Sequence, residues 1–355
     1  SGSIPLPAWI IIFGLMGQPL AIISALLTGV LSTGSGQWLL YHMSANTMFF
    51  LSIAGVVLYT TSVVSGNPLW SRSLVGATLI GGLVTLSPLG SPDGYLTASM
   101  LGIEAEALSF SGSSDIIVSF LLALAMVPYV AFAVNSMLTM RGGDSSRENP
   151  NMAGLAEINL GTLALIPVFL GSLFIQSDAI TGTNALGGMS FTIETMARWA
   201  VVVPLTFGST LALYPSITGR EIASPDRARY AFWLMSGGVL LGLMVTLMSN
   251  TIDMALIDAG IEDPSSLSHE LAVAGSVIFY FAVISMILHS LNMVSGLFRG
   301  VIIDGKTKSS SSIEAESYNL SSPTSIRRIL GSGAGMDTVV VPVGESDEAG
   351  SATDL

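Results

Sequence analysis

The sequence predicts an all-α fold: a polytopic transmembrane helical bundle of about eight spans, followed by a disordered C-terminal tail. Half of the 355 residues are hydrophobic, only 10% are charged, and the mean hydropathy is +0.70. Globular soluble domains carry about 25% charged residues, so this composition is typical of a multi-spanning membrane protein. The apolar residues also fall in long runs, and about 20 helical residues are needed to cross a bilayer.

Long apolar runs define the candidate spans. They are Ala8–Leu31, Trp38–Val64, Ser73–Pro88, Asp115–Met140, Leu155–Gln176, Arg198–Tyr214, Tyr230–Ser249 and Leu271–Arg299. Glycines in the third run, Gly76, Gly81 and Gly82, predict close packing of that short segment inside the bundle. Because Ser1–Pro7 has no basic residue, we expect the first run to be a span and not a signal peptide.

The connection between the sixth and seventh runs, Tyr214–Arg229, sets the expected orientation. It combines turn-forming and basic residues, as cytoplasmic connections do. If the spans alternate from this connection, eleven of the twelve Lys and Arg face one side, and only Arg198 faces the other. We therefore expect both termini in the cytoplasm, and an integral protein of a prokaryotic plasma membrane.

Residues 1–299 are predicted to form the transmembrane helical domain, and residues 300–355 a largely disordered cytoplasmic tail. The tail is rich in Ser, Gly and acidic residues, which cannot bury enough apolar surface to offset the entropy of ordering. The basic residues are too few and scattered for nucleic acid, so the expected partners are the lipid bilayer and other membrane proteins. The absence of cysteine excludes disulfides, thiolate metal sites and iron–sulfur clusters.

Three short landmarks carry a family resemblance. They are the connection Tyr214-Pro215-Ser216-Ile217-Thr218-Gly219-Arg220 with Phe232-Trp233-Leu234 after it, Trp38-Leu39-Leu40-Tyr41-His42, and Val127-Pro128. In order and spacing they resemble subunit I of the heme–copper oxidases, the cytochrome c oxidase family. The connection resembles the one between that family's tenth and eleventh helices. The Val-Pro pair resembles one in the eighth helix, and His42 stands in the position of a copper ligand on the sixth. The spans would then correspond to helices five to twelve.

The imidazole ligands of that family are mostly missing. Its copper is held by three imidazoles and its two hemes by axial imidazoles, whereas this chain has only His42, His269 and His289. The stretch Leu86–Asp93 lacks the adjacent His pair, and Glu194–Pro204 lacks the heme ligands. The resemblance therefore implies His42 as the one candidate metal ligand and no cofactor on this chain by itself. Heme and copper are expected only if partner chains retain the family activity.

We expect a membrane-embedded, non-catalytic component, similar to oxidase subunit I, of a respiratory complex of the terminal-oxidase type. It would pack against other integral membrane subunits. Two alternatives stay open. The chain could belong to an active cytochrome oxidase whose heme and copper ligands lie on another chain, or it could be a subunit of a transporter or channel. Whether it is an enzyme stays open, because the family reduces oxygen but this chain lacks the ligands to do so alone.

Two of the three histidines, His42 and His289, each have two interpretations. His42 is either a surviving copper ligand or an imidazole bonded to Ser44, Asn46 or water. His289 lies within the eighth run, where ionisable groups are functional candidates, so it is either a proton-relay member or a neutral hydrogen-bonded core residue. His269, together with Glu270, is expected to be an ordinary helix-entry pair at the membrane interface.

Two other polar residues lie within or next to apolar runs. Arg198 is expected to pair with Glu194 one helical turn earlier, with snorkelling to lipid headgroups or ligand binding as the alternatives. Asn135, with Ser136, is expected to join neighbouring helices, and it is also the weak hint of a transporter site.

Overall fold

The computed structural model describes residues 5–28, 50–84, 126–141, 153–176, 197–261 and 265–302. Within these ranges the chain is helical and forms no strand. The helices are α1 (Leu6–Thr28), α2 (Ser52–Ser65), α3 (Arg72–Val84), α4 (Met126–Met140), α5 (Leu155–Gln176), α6 (Val203–Thr218), α7 (Pro225–Asp258) and α8 (Ser265–Arg299). A π-helical segment, Ala197–Val202, leads directly into α6.

The predicted helical fold is confirmed, and each predicted run overlaps one of these helices. Within the described ranges, three stretches are long and apolar enough to cross a membrane: Trp199–Thr218, Pro225–Asp253 and Ser268–Arg299. In the other helices, the apolar stretches whose side chains the structure describes are 10–17 residues long. The chain is therefore a helical membrane protein that contacts lipid, while the arrangement in about eight spans stays a prediction. The tail beyond Ile302 lies outside the described residues.

The connection between α6 and α7 is shorter than Tyr214–Arg229, the segment that the sequence predicts. Only Gly219–Ser224 is non-helical, because the prolines before and after it, Pro215 and Pro225, lie within the helices and do not break them. Pro215 lies in the last turn of α6, and Pro225 is the first residue of α7, where its fixed φ suits a helix and no N–H is needed. Gly219 ends α6 at φ 66° in the left-handed region, and its N–H donates to the carbonyl of Pro215 (2.9 Å).

Helices α7 and α8 form an antiparallel hairpin that packs along its length. Small residues let the two backbones approach. A Cβ at Gly238 would lie 2.6 Å from the backbone nitrogen of Ala282, and one at Gly275 would lie 2.7 Å from Oγ1 of Thr246. Such close contacts replace the hydrophobic driving force that helices lack inside lipid.

The glycines of α3 behave as predicted at two of three positions. A Cβ at Gly81 would lie 2.8 Å from the side chain of Pro128 on α4, and one at Gly82 would lie 2.6 Å from Leu51. Gly76 instead faces open space, with no atom within 4 Å of its Cβ position, so the prediction is wrong there. Close packing of α3 therefore concentrates at its C-terminal end, next to the start of α4.

One arrangement, which we call the Asn–Ser clamp, occurs twice. Asn135 of α4 accepts from the N–H of Ser71 and donates to its carbonyl, both at 3.1 Å. Asn292 of α8 does the same to Ser224, at 2.9 and 2.8 Å. Each Ser precedes a helix and follows a left-handed Gly by five residues. In each case the oxygen and the nitrogen of one side-chain amide supply hydrogen-bond partners for the backbone N–H and C=O of a connecting segment.

The residues just after α8 pair with the connection between α6 and α7. The N–H of Glu221 donates to the carbonyl of Val301 (2.9 Å), and Arg220 forms an isolated antiparallel bridge with Ile302. The guanidinium of Arg220 also donates to the carbonyl of Gly300 (3.2 Å). These bonds cap the C-terminal end of α8, where helix carbonyls otherwise lack partners.

Candidate functional site

Two ionisable side chains face each other inside the bundle: Glu157 in the first turn of α5 and His289 in the C-terminal half of α8. Nε2 of His289 lies 3.4 Å from Oε1 of Glu157, and the two side chains are 0% and 2% exposed, respectively. This distance is longer than an ordinary N–H···O hydrogen bond, so the pair is in contact without a well-formed bond. Ionisable groups so deeply buried in a membrane helix bundle are the strongest functional candidates in this part of the chain.

Close packing of α5 against α6 positions Glu157. Gly154, at φ 98°, begins the turn into α5 and approaches the carbonyl of Gly208 on α6. A Cβ at Gly208 would in turn lie 2.7 Å from the carbonyl oxygen of Gly154 and 2.8 Å from the nitrogen of Ile158. The two helices therefore meet backbone to backbone at the residues that flank Glu157.

His289 is held between aromatic and polar neighbours. The ring of Phe207 on α6 stacks on the imidazole, with centroids 5.7 Å apart and planes inclined by 29°. One turn before and one turn after His289, Ser285 bonds to the carbonyl of Ala231 and Asn292 forms its clamp. Both of these polar neighbours thus bond to other parts of the chain, and neither ring nitrogen of His289 has a hydrogen-bond partner.

The environment on the lipid side of the pair is apolar. A groove of about 410 Å³ on the outer surface of α6 and α8 is lined by Trp199, Phe207, Met286, Ile287 and Leu291, among others. Phe207 lines this groove and stacks on His289, so its ring lies between the imidazole and the groove.

The structure places the predicted site residues apart from one another. His269 lies near the start of α8, as predicted, and its side chain is exposed; it is twenty residues from His289. Along one helix this separation is about 30 Å, so the two imidazoles cannot share a metal ion. His42 lies outside the described residues. Within the part of the chain that the structure describes, no three His, Cys, Asp or Glu side chains come close enough to hold a metal.

The residues present therefore do not fit the copper centre of the heme–copper oxidases. That centre needs three imidazoles on one copper ion. Because His269 and His289 lie too far apart to bind the same ion, at most two of this chain's three imidazoles could bind it. No step of oxygen chemistry can be assigned to these side chains.

The remaining predictions have mixed outcomes. Asn135 joins α4 to the segment before α3, as predicted, whereas the buried hydroxyl of Ser136 has no hydrogen-bond partner. Arg198 falls in the π-helical segment, but its side chain and Glu194 lie outside what is described. Glu157 is the residue that sequence reasoning missed. The signal was a carboxylate two residues inside an apolar run.

Comparison with known proteins adds no family assignment. No protein-family model matches the sequence, and no curated protein matches it at a significant level. The resemblance to oxidase subunit I therefore rests on the three landmarks in the sequence and stays a prediction.

Proposed function

We propose that this chain is a membrane-embedded, non-catalytic component, similar to oxidase subunit I, of a respiratory complex, and that it packs against other integral membrane subunits, which hold any heme and copper of that complex. The observation that carries this proposal is the placement of the imidazoles. His289 contacts Glu157 inside the bundle, and His269 is exposed about 30 Å away along the same helix. A single copper ion cannot gather three imidazoles from this chain.

The connection between α6 and α7 gives the proposal its second support. The segment that resembles the oxidase family, Tyr214–Arg220, ends α6, and its last residue, Arg220, pairs with the backbone after α8. The hydroxyl of Tyr214 donates to the carbonyl of Met293 (2.8 Å). The landmark residues thus have structural roles at this end of the bundle, which a subunit without cofactors would still need.

Metal and heme analysis of the intact complex tests the proposal. We expect a complex isolated in mild detergent through a tag on this chain to contain heme-bearing partners. In the complex that carries His42→Ala, heme and copper per complex should stay unchanged. Loss of copper in that variant, or heme iron coordinated by a side chain of this polypeptide, would overturn the proposal. His269→Ala, which changes an exposed imidazole, serves as the matched control.

The orientation belongs to the same proposal: both termini and the connection between α6 and α7 lie in the cytoplasm, in a prokaryotic plasma membrane. Because the chain has no cysteine, single cysteines report sidedness cleanly. Arg227→Cys at the exposed start of α7 should react with a membrane-impermeant maleimide only in inside-out vesicles. Ala259→Cys, exposed just after α7, should react only in right-side-out vesicles. The opposite labelling pattern would contradict the orientation.

Transport is the second candidate function, and the buried Glu157–His289 pair is the observation that favours it. Ionisable groups inside a membrane helix bundle often mark an ion pathway. The two candidates differ in what the chain does without partners. Proton or solute flux through vesicles that contain only this chain, abolished by Glu157→Gln, would support transport. Absence of flux, together with heme-bearing partners in the isolated complex, would support the respiratory component.

A further inference from the structure

The Glu157–His289 pair has a property that does not depend on whether the complex is respiratory. Each side chain can hold or release one proton, and each is shielded from solvent by the packing of α5, α6 and α8. The imidazole has no hydrogen-bond partner, and Oε1 of Glu157 lies 3.4 Å from its Nε2. At that separation the protonation of one group depends on that of the other, so the pair titrates as a unit.

Counting protons shows which state the bundle stabilises. With no proton, the pair is a carboxylate beside a neutral imidazole and carries a charge of about −1; with two protons it carries about +1. With one proton the pair is neutral overall, whether a carboxylic acid donates to Nε2 or an imidazolium donates to the carboxylate. A net charge buried away from water is strongly disfavoured, whereas a neutral pair is not.

We propose that Glu157 and His289 together form a binding site for a single proton, which the two side chains share inside the membrane. The proton is held between Oε1 and Nε2, so binding forms an O–H or N–H bond and release leaves the carboxylate and the neutral imidazole. The ligand of this site is therefore the proton itself. It is not a metal ion, because the pair supplies only two donor groups and the described residues around it offer no third.

The charges around the pair leave this conclusion unchanged. Glu157 is the one acidic or basic residue of α5, and α6 has none. Tyr214 of α6 donates its hydroxyl to a carbonyl of α8. On α7 the ionisable residues lie towards the two ends: Asp226, Arg227, Arg229 and Tyr230 at one, Asp253 and Asp258 at the other. On α8, His269, Glu270, Tyr280 and Arg299 are exposed. No charged side chain of α5 or α6 compensates a net charge on the pair, and the N-terminus of α5 offsets only about half of a carboxylate's charge.

The depth of the site indicates where protons reach it. His289 lies about 15 Å along α8 from Arg299 and about 32 Å from Ser268, at 1.5 Å per residue. Asn292, one turn closer to Arg299, already contacts the connection between α6 and α7. Glu157 likewise lies in the first turn of its helix. The pair is therefore nearest to water on the side of that connection.

Vibrational and magnetic resonance spectra of the full-length chain in lipid nanodiscs test the proposal at neutral pH. Infrared spectroscopy detects the C=O stretch of a protonated carboxylic acid, and ¹⁵N spectra of labelled histidine distinguish a neutral imidazole from an imidazolium. We expect one of two results: an acid band that Glu157→Gln removes, with a neutral His289, or a charged Glu157 with a cationic His289. The matched controls Glu270→Gln and His269→Gln change exposed groups of the same kinds on α8 and should leave these signals intact.

Two results would overturn the one-proton site. The first is a carboxylate together with a neutral imidazole, which holds no proton; the second is a carboxylic acid together with an imidazolium, which holds two. If Glu157→Gln does not fold, a second variant, His289→Gln, tests the proposal. In His289→Gln the carboxyl group is left without its partner, and we expect Glu157 to keep the proton and show the acid band. An ionised Glu157 in that variant would also overturn the proposal.

Discussion

Replacing Gly208 with Ala tests the backbone contact that holds Glu157 in place. The added Cβ would lie 2.7 Å from the carbonyl oxygen of Gly154, whereas ordinary contacts begin at 3.4 Å, so α5 and α6 must separate by roughly 0.7 Å. The atoms in the way are backbone atoms, which cannot rotate aside as a flexible side chain can. Overpacking of this kind typically costs about 1–3 kcal/mol of unfolding free energy.

Gly237→Ala is the matched control with the opposite expected sign. Gly237 lies in the interior of α7, and no atom lies within 4 Å of the position that its Cβ would take. Alanine should therefore stabilise that helix by about 0.5–1 kcal/mol, because glycine loses more backbone entropy on folding. The two variants should differ by about 1.5–4 kcal/mol.

Reversible unfolding in mixed micelles of increasing SDS fraction, followed by tryptophan fluorescence, measures both variants, and neither substitution changes one of the five tryptophans. If Gly208→Ala is as stable as the unmodified chain, or if the two variants change stability equally, the close approach of α5 and α6 is wrong. The position of Glu157 opposite His289 would then lose its structural basis.

The same assay measures three further variants and one control. Asn292→Ala removes the acceptor of the Ser224 N–H and should cost about 1–3 kcal/mol, whereas Ser290→Ala removes an exposed hydroxyl and should change stability by less than about 0.5 kcal/mol. Equal effects would contradict the clamp. Gly219→Val places a branched side chain at φ 66° and should cost at least about 1–2 kcal/mol; an unchanged stability would contradict the left-handed end of α6. Tyr214→Phe loses one hydrogen bond to α8 and should cost about 0.5–1.5 kcal/mol, and no loss would show that bond to be absent.

Hydropathy predicted where the helices lie but not where they end. The predicted range Leu155–Gln176 matches the bounds of α5. An apolar run with polar residues on both sides has one favourable position in a bilayer, so its ends are predictable. The ends of α6 and α7 were misplaced because Pro215 and Pro225 suggested a long connection. Proline in the last turn of a helix or at its first position does not break the helix. Whether a proline ends a helix therefore depends on its position in the turn, and the composition of a segment does not reveal that position.

The candidate site was only half predictable. His289 was singled out because an imidazole within an apolar run is unusual, but its partner lies 132 positions earlier, on a helix that only tertiary packing brings near (289 − 157 = 132). Glu157 was overlooked since it follows a polar segment, where an acidic residue in the first turn of a helix is ordinary. Its burial depends on the glycine contacts between α5 and α6, and these contacts cannot be predicted from the sequence.

The bridge between Arg220 and Ile302 joins the end of the transmembrane region to a distant connection. The chain leaves α8 at Arg299 but stays bonded to the segment between α6 and α7 for three more residues. A displacement applied to the polypeptide downstream of Ile302 is therefore transmitted first to Glu221 and Arg220, and through the latter to the end of α6. A protein that binds the segment after Ile302 would therefore exert force on both α6 and α8.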